Sequence, residues 1–265
     1  MTSEALTWVE TSKMAYARTG NHIVGFGKRD LTFDQLITEI QRLTDREISW
    51  VHLKQTHSKT VLESRREHAT RDELLLREGD AHFSTDTNIG LIVKTADCLP
   101  VLMFASDGSL CVAVHAGWRG VENEILRETI RTLKNRGVNP AKLKVFIGPR
   151  IRQKSFEVDH DVAQQLTLTA QNAGLRDSRQ LAEIVKPLGH SDSGKYVVDL
   201  ETIAVAQLTS EAIAKDQIQV YRTTLIGSPD QRIAAAPDTK TNPEWASYRR
   251  DGKNAGRNLS FILRS

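Results

Sequence analysis

Apolar residues along this chain fall into short continuous runs and into stretches with helical spacing, and the two patterns interleave. The continuous runs have the length of β-strands and occupy residues 22–26, 48–53, 89–95, 99–105, 110–115, 144–147, 196–200, 218–221 and 261–263. Helical spacing predicts amphipathic helices over 32–43 and over 125–133, and Asp159 is placed to cap a third. A turn at 107–109 separates two of the longest runs, which predicts a hairpin.

This order of elements favours a mixed α/β (α+β) fold. Strands and helices do not alternate strictly, so we expect a mixed β-sheet core flanked by helices. No repeat and no linker divides the chain, which predicts one domain over residues 1–265. The charged stretch 65–78 predicts a solvated loop or helix, and the Pro, Asp, Thr and Gly residues of 226–242 predict an excursion loop.

Composition and charge argue against a disordered, a nucleic-acid-binding and a membrane-spanning protein. With 39% hydrophobic and 26% charged residues, the chain has the composition of an ordinary globular protein. The net charge of +3 is small and basic residues are interspersed with acidic ones, so we expect no nucleic-acid partner. The apolar runs are too short to span a membrane, and the N-terminus has no secretory pattern. With only two cysteines, these features predict a cytoplasmic protein.

Two segments carry the candidate chemistry, Thr95–Pro100 and Val114–Gly120. The first places Cys98 between two strand-like runs, and the second places His115 at the end of one. A thiolate and an imidazole at the ends of adjacent strands are typical either of a metal site or of a cysteine nucleophile with a histidine base. His57 follows an earlier strand-like run and supplies the third ligand that a catalytic zinc site needs.

The residues alone leave other interpretations open. The long spacings contain no CxxC motif. A cysteine beside an apolar run is also typical of a buried small hydrophobic residue, and the segment after His115 is also typical of a tight turn. Cys111 lies inside a strand and is typical of the core. Arg119 is predicted at the start of a helix, where its charge opposes the helix dipole. That position favours either an anionic substrate group or a salt bridge to an aspartate.

Several short segments resemble, in the same order, those of one known family. They are Lys54-Gln55-Thr56-His57, Gly79-Asp80-Ala81, Thr95-Ala96-Asp97-Cys98-Leu99-Pro100-Val101, His115-Ala116-Gly117-Trp118-Arg119-Gly120, Ile147-Gly148-Pro149, Phe156-Glu157-Val158, Val198-Asp199-Leu200, Ser247-Tyr248-Arg249-Arg250-Asp251-Gly252 and Gly256-Arg257. The family is the YfiH type, also called the laccase-domain or multicopper polyphenol oxidase family. Many of its members are described as purine nucleoside phosphorylases, and its fold is similar to that of Cys-His deamidating toxins.

The resemblance implies one Zn²⁺ per chain, bound by His57, Cys98 and His115. It implies phosphorolysis of adenosine, inosine, guanosine or methylthioadenosine to the free base and ribose 1-phosphate, with adenosine deamination as a side activity. Purine nucleosides and phosphate are then the partners. The implied catalytic residues are Cys98, His115, Asp80 and Arg119, and the implied substrate-binding residues are Arg29, Gln55, Asp97 and Arg249.

The chain departs from the family pattern in places that do not involve the metal ligands. Only Phe26-Gly27-Lys28-Arg29 stands where the family has a longer N-terminal motif, Tyr221-Arg222-Thr223 replaces a Cys-Thr pair, and Trp245-Ala246 replaces two phenylalanines. These changes concern the walls of the expected substrate pocket.

Three alternatives to the phosphorylase stay open at this point. The first is a cysteine-dependent amidase acting in peptidoglycan precursor editing, with Cys98 as nucleophile and His115 as base. The second is a copper polyphenol oxidase, although the chain has eight histidines and no His-x-His pair. The third is a non-enzymatic binding protein with a structural site. The expected assembly is a monomer or a small homo-oligomer.

Overall fold

The computed structural model describes residues 6–189, 194–222 and 236–265, whose strands form two six-stranded sheets and one three-stranded sheet. The strands are β1 (Val9–Glu10), β2 (Met14–Thr19), β3 (His22–Gly27), β4 (Ser49–His52), β5 (Val61–Glu63), β6 (Ala81–Ser84), β7 (Ile89–Thr95), β8 (Leu99–Ala105), β9 (Cys111–Ala116), β10 (Leu143–Ile147), β11 (Glu157–Asp159), β12 (Val185–Pro187), β13 (Lys195–Val198), β14 (Ile218–Val220) and β15 (Asn258–Arg264). The helices are α1 (Phe33–Thr44), α2 (Trp118–Glu122), α3 (Ile125–Lys134), α4 (His160–Asn172), α5 (Ser178–Ile184), α6 (Leu200–Ser210) and α7 (Tyr248–Asp251).

Both large sheets are mixed. The first has the order β1-β2-β3-β15-β7-β4, and only the β4–β7 pair is parallel. The second has the order β14-β10-β8-β9-β6-β5, with parallel pairs at both edges. The mixed α/β class predicted from the sequence is confirmed, with the strands divided between two large sheets where one was expected.

The division into two sheets follows from strands that are apolar on both faces. In β8 every residue is buried, because side chains alternate between two cores. Val101 belongs to the cluster that contains Ile130 of α3, whereas Leu102 belongs to the cluster that contains Leu91 of the first sheet. The second sheet therefore packs between the first sheet and a layer of helices.

Helix α1 covers the other face of the first sheet. Thr32 caps it, since its hydroxyl accepts from the Gln35 amide while the Gln35 side chain accepts from the Thr32 amide. Leu36 and Ile40 are fully buried against strands that include β4 and β15. The layers are thus helix, sheet, sheet and helices, and the helix predicted over 32–43 is confirmed to within one residue at each end.

The hairpin of β8 and β9 positions the candidate chemistry. The two strands are antiparallel, and their register places Pro100 opposite His115. Cys98 immediately precedes β8 and so lies beside the end of β9. The backbone carbonyl of Asp80, just before β6, accepts a 2.7 Å hydrogen bond from the His115 amide. Three candidate residues from separate segments therefore meet at one end of the second sheet.

The two segments predicted as loops differ in what the structure describes. The 65–78 stretch is irregular, with two short 3₁₀ turns at Arg66–His68 and Glu73–Leu75. Of 226–242, residues 226–235 lie outside the described residues, and Asp238 forms a bridge with Arg150. Within the described ranges, every helix is too short or too polar to cross a membrane.

Candidate metal centre

His57, Cys98 and His115 bring their side-chain ligand atoms together at the end of the second sheet. These atoms all lie within 4.8 Å of one another, and the Cys98 Sγ is 3.9 Å from the His57 Nε2. The two imidazole rings are nearly perpendicular, at an interplanar angle of 76°. One sulfur and two nitrogen donors at this separation match the protein ligand set of a zinc site that keeps a position open.

Asp80 lies on the buried side of the ligand set and holds two of its residues, His57 and His115, by hydrogen bonds. Its carboxylate is fully buried and accepts hydrogen bonds from the backbone amides of Thr56, His57 and Ser58 at 3.1, 3.0 and 2.7 Å. Its Oδ1 also lies 2.8 Å from the His115 Nδ1. That bond leaves the other ring nitrogen of His115 available to a metal, an arrangement typical of metal-ligating histidines. The same carboxylate thus fixes both histidines of the set.

The charges of the centre are coupled. Burial raises the pKa of the Cys98 thiol, but the opposing charge and hydrogen bonding of His115, followed by those of His57, lower that pKa to about 6. For His115, burial lowers the pKa, and the Cys98 and Asp80 charges outweigh this and raise it. Burial also raises the pKa of Asp80, whereas hydrogen bonds from His115 and Ser58 lower it to about 2. The thiolate form of Cys98, which is the form that binds metal, is therefore favoured at neutral pH.

Gly117 makes room for the ligand set. A Cβ atom at this position would lie 2.8 Å from the Cδ2 of His57 and 3.0 Å from the Sγ of Cys98. The φ angle of Gly117 is −68°, so its backbone conformation is open to any residue and only the missing side chain matters. The glycine is thus required by close packing at the centre.

We expect Gly117→Ala to lower metal affinity by about tenfold or more, because the methyl group displaces His57 or Cys98 from its position. Gly120→Ala is the matched control, since its Cβ would meet Ile125 at 3.4 Å and no ligand atom of the centre, the nearest atom of His115 being its backbone oxygen at 3.7 Å. Competition with a chromophoric chelator measures the affinity of both variants. Equal affinity for the two would contradict this account.

The ligand set lies in the wall of a cavity of about 640 Å³, which falls in the size range of small-molecule sites. Its remaining lining combines cations, two carboxylates and aromatic rings. The lining residues are Leu53, Lys54, Gln55, His57, Glu73, Lys94, Ala96, Asp97, Cys98, His115, Trp118, Arg119, Ile151, Phe156, Tyr248, Arg249 and Arg257.

Two of the predicted substrate-binding residues use their side chains within the protein. Gln55 donates to the carbonyl of Lys94 at 2.8 Å and accepts from its amide at 2.7 Å. Asp97 accepts from the Thr239 hydroxyl at 2.6 Å and from the Arg249 amide at 2.7 Å. The φ angle of Asp97 is +89°, an uncommon conformation for a residue other than glycine. Both residues line the cavity while holding its walls together.

The predicted arginines are distributed differently. Arg119 and Arg249 line the cavity, each stacked over an aromatic ring, whereas Arg29 is not among the lining residues and lies 3.7 Å from the carboxylate of Asp251. Asp80 is not a lining residue either, because it lies behind the histidines. Sequence reasoning did not assign Phe156 or Arg257, although both stand in segments that carry the family resemblance.

The fold and the site together define a class: an α/β protein with two mixed sheets and a His-Cys-His donor set opening onto a cavity. The chain belongs to the multi-copper polyphenol oxidoreductase laccase family, whose model matches residues 31–265. This confirms the resemblance noted in the sequence.

Individual relatives agree with this assignment. A purine nucleoside phosphorylase of Clostridium acetobutylicum is 32% identical over 214 residues, covering 80% of this chain and 76% of that protein. The purine nucleoside phosphorylase YfiH of Escherichia coli is 30% identical over 213 residues, covering 80% and 72%. The crystal structure of a Bacillus licheniformis hypothetical protein YfiH has the same fold, with a TM-score of 0.78 and 19% identity over 97% of this chain and 99% of that one.

Proposed function

We propose that this protein is a zinc-dependent purine nucleoside phosphorylase. Its substrates are adenosine, inosine, guanosine or methylthioadenosine together with phosphate, and adenosine deamination is a side activity. The observation that carries the proposal is the convergence of His57, Cys98 and His115 in the wall of a cavity large enough for a nucleoside. The names of the relatives support the same reaction.

The donor set fits zinc. Thiolate and imidazole are ligands that zinc accepts, and the hydrogen bond that His115 donates to Asp80 orients its ring as a metal-ligating histidine is usually oriented. When bound, zinc supplies a Lewis acid in the cavity wall that polarises an oxygen atom of a substrate. His57, Cys98 and His115 would hold it.

The rest of the cavity supplies binding and orientation. Trp118, Phe156 and Tyr248 offer aromatic surface against which a purine or ribose ring packs. In phosphorolysis a phosphate oxygen forms a bond to ribose C1′, the bond from C1′ to the purine nitrogen breaks, and the base leaves with the electron pair. The role of this chain is to align phosphate, C1′ and the base along one line.

The test is incubation of the pure protein, with its zinc content measured, with adenosine in the presence and absence of phosphate. We expect adenine and ribose 1-phosphate only when phosphate is present, and inosine from the slower deamination in either case. Chromatography of the bases gives the rates. A protein with stoichiometric zinc that forms neither adenine nor inosine from adenosine would contradict the proposal.

One observation favours a second candidate, a cysteine-dependent amidase. The Cys98 thiolate lies beside His115, whose other nitrogen bonds to the Asp80 carboxylate, and this is the order of groups in a Cys-His-Asp triad. In that case the Cys98 sulfur attacks an amide carbonyl, the carbon–nitrogen bond breaks as His115 protonates the leaving amine, and water hydrolyses the resulting thioester, as editing of peptidoglycan precursors would require. The two candidates differ in whether Cys98 binds metal or remains free.

The assignments of one domain over residues 1–265, of a cytoplasmic location and of a monomer or small homo-oligomer are part of the same proposal. Ultracentrifugation of the purified protein tests the last of these. A large assembly would contradict it.

A further inference from the structure

The walls of the cavity carry an excess of positive charge. Five cationic side chains and two carboxylates line it. Lys54 is paired with Glu78 at 2.8 Å, and Lys94 is paired with Glu73 at 3.0 Å. The second lining carboxylate, Asp97, directs its two oxygens at a hydroxyl and a backbone amide. The lining carboxylates therefore leave three guanidinium groups uncompensated.

These three groups belong to Arg119, Arg249 and Arg257. None of them forms an ion pair with a carboxylate of residues 6–189, 194–222 or 236–265. Exposed arginines on protein surfaces often lack a partner. Here, however, three of them line one concave site, and that site also contains a candidate metal centre.

Among the ring-stacked arginines of the described ranges, those that line the cavity differ from those outside it. Four arginines of the described ranges stack over aromatic rings. The two outside the cavity also bind a carboxylate, Arg71 to Asp34 at 2.7 Å and Arg136 to Glu63 at 2.5 Å. The two inside it, Arg119 and Arg249, do not. Ring stacking thus fixes their position while their N–H groups remain available.

The third arginine is held through the backbone. Arg257 donates from one terminal nitrogen to the carbonyls of Ala255 and Gly256, both at 3.0 Å. Its other terminal nitrogen remains available to a ligand. Arg249 is anchored as well, because its amide binds Asp97 beside Cys98. Restraint of this kind lowers the entropy lost when a ligand is bound.

We propose that Arg119, Arg249 and Arg257 form a subsite for a phosphate dianion, either inorganic phosphate or the phosphate of a nucleotide. Guanidinium groups suit this ligand because they present two parallel N–H donors to a pair of phosphate oxygens. In the proposed phosphorolysis the subsite holds the attacking phosphate, and in this respect the inference rests on the proposed function. Oxyanion binding itself does not depend on that reaction.

Titration calorimetry of the zinc-loaded protein with inorganic phosphate tests the subsite without turnover. Arg119→Ala, Arg249→Ala and Arg257→Ala are each expected to raise the Kd for phosphate by about tenfold or more, and the corresponding lysine variants by less. Arg71→Ala is the matched control, a ring-stacked arginine outside the cavity, and should leave the Kd unchanged. Equal zinc content in all variants removes the contribution of the metal.

The outcomes separate the subsite from the reaction. In one outcome the parent protein binds phosphate, the three alanine variants do not, and no phosphorolysis is detected. That outcome supports the subsite and rejects the proposed function. Phosphorolysis whose KM for phosphate is unchanged in all three variants overturns the subsite and leaves the function standing.

A parallel titration with adenosine 5′-monophosphate distinguishes the source of the phosphate. If the parent protein binds the nucleotide but not inorganic phosphate, and the three alanine variants do not bind the nucleotide, the subsite holds the phosphate of a nucleotide. Free phosphate is then rejected as its ligand. Absence of binding for both compounds overturns the proposal.

Discussion

Replacing Cys98 by serine is expected to reduce kcat/KM for the proposed phosphorolysis by at least about a hundredfold, with the fold retained. Burial raises the pKa of the Cys98 thiol, but the neighbouring His115 and His57 outweigh this effect and lower the pKa to about 6. A serine hydroxyl stays protonated in the same position and is a poor ligand for zinc. Steady-state kinetics with adenosine and phosphate, together with elemental analysis, measure activity and zinc content in the same sample.

Cys111 provides the control for this substitution. Cys111 is fully buried in β9, and burial raises the pKa of its thiol to about 12. The thiol is therefore neutral at pH 7, and Cys111 is not part of the ligand set. Cys111→Ala should keep both the activity and the zinc of the parent protein. A Cys98→Ser variant that retained full zinc content and full activity would remove the thiolate from the proposed ligand set.

The reactivity of the Cys98 thiol distinguishes the proposed phosphorylase from the alternative amidase. If Cys98 binds zinc, iodoacetamide should leave it unmodified in the zinc-loaded protein and alkylate it after chelation. If Cys98 is a free nucleophile, alkylation should proceed at the same rate with and without chelator. Mass spectrometry of the peptide that contains Cys98 reads out both cases.

The pairing of Cys98 with His115 followed from the sequence because it depends on local chain geometry. Two apolar runs joined by the turn at 107–109 predict an antiparallel hairpin, and a hairpin brings the start of its first strand to the end of its second. The structure has this arrangement, with Pro100 opposite His115. The prediction is confirmed because the turn fixes which residues of the two strands lie opposite each other.

The remaining geometry depends on contacts between distant segments. His57 has a φ angle of +60°, and the Asp80 carboxylate holds its backbone amide at 3.0 Å. No local pattern encodes such a contact. The division of strands between two sheets is equally non-local, because an apolar run does not show which neighbour covers each face. Arg257 enters the cavity only because β15 pairs with β7 near Thr95.

Asp80→Asn is expected to destabilise the protein by about 3 kcal/mol and to lower zinc affinity by about tenfold to a hundredfold. The buried carboxylate accepts from three consecutive backbone amides and from the Ser58 hydroxyl, and it bonds to His115. An asparagine side chain has one oxygen and directs its N–H₂ group at donors that then lose their acceptor. Chemical denaturation and chelator competition measure the two effects.

Asp177→Asn is the matched control, because Asp177 is an exposed cap of α5 and asparagine caps helices about as well.

The stabilisation that Asp80 provides should also depend on pH. Although burial raises its pKa, hydrogen bonds from His115 and Ser58 lower it to about 2, so its stabilisation is present above the ordinary value of 3.8 and is lost as the pH falls toward 2. The stability difference between the parent and Asp80→Asn should therefore shrink in acid. A difference that stayed constant from pH 7 to pH 3 would show that the carboxylate charge does not hold the centre together.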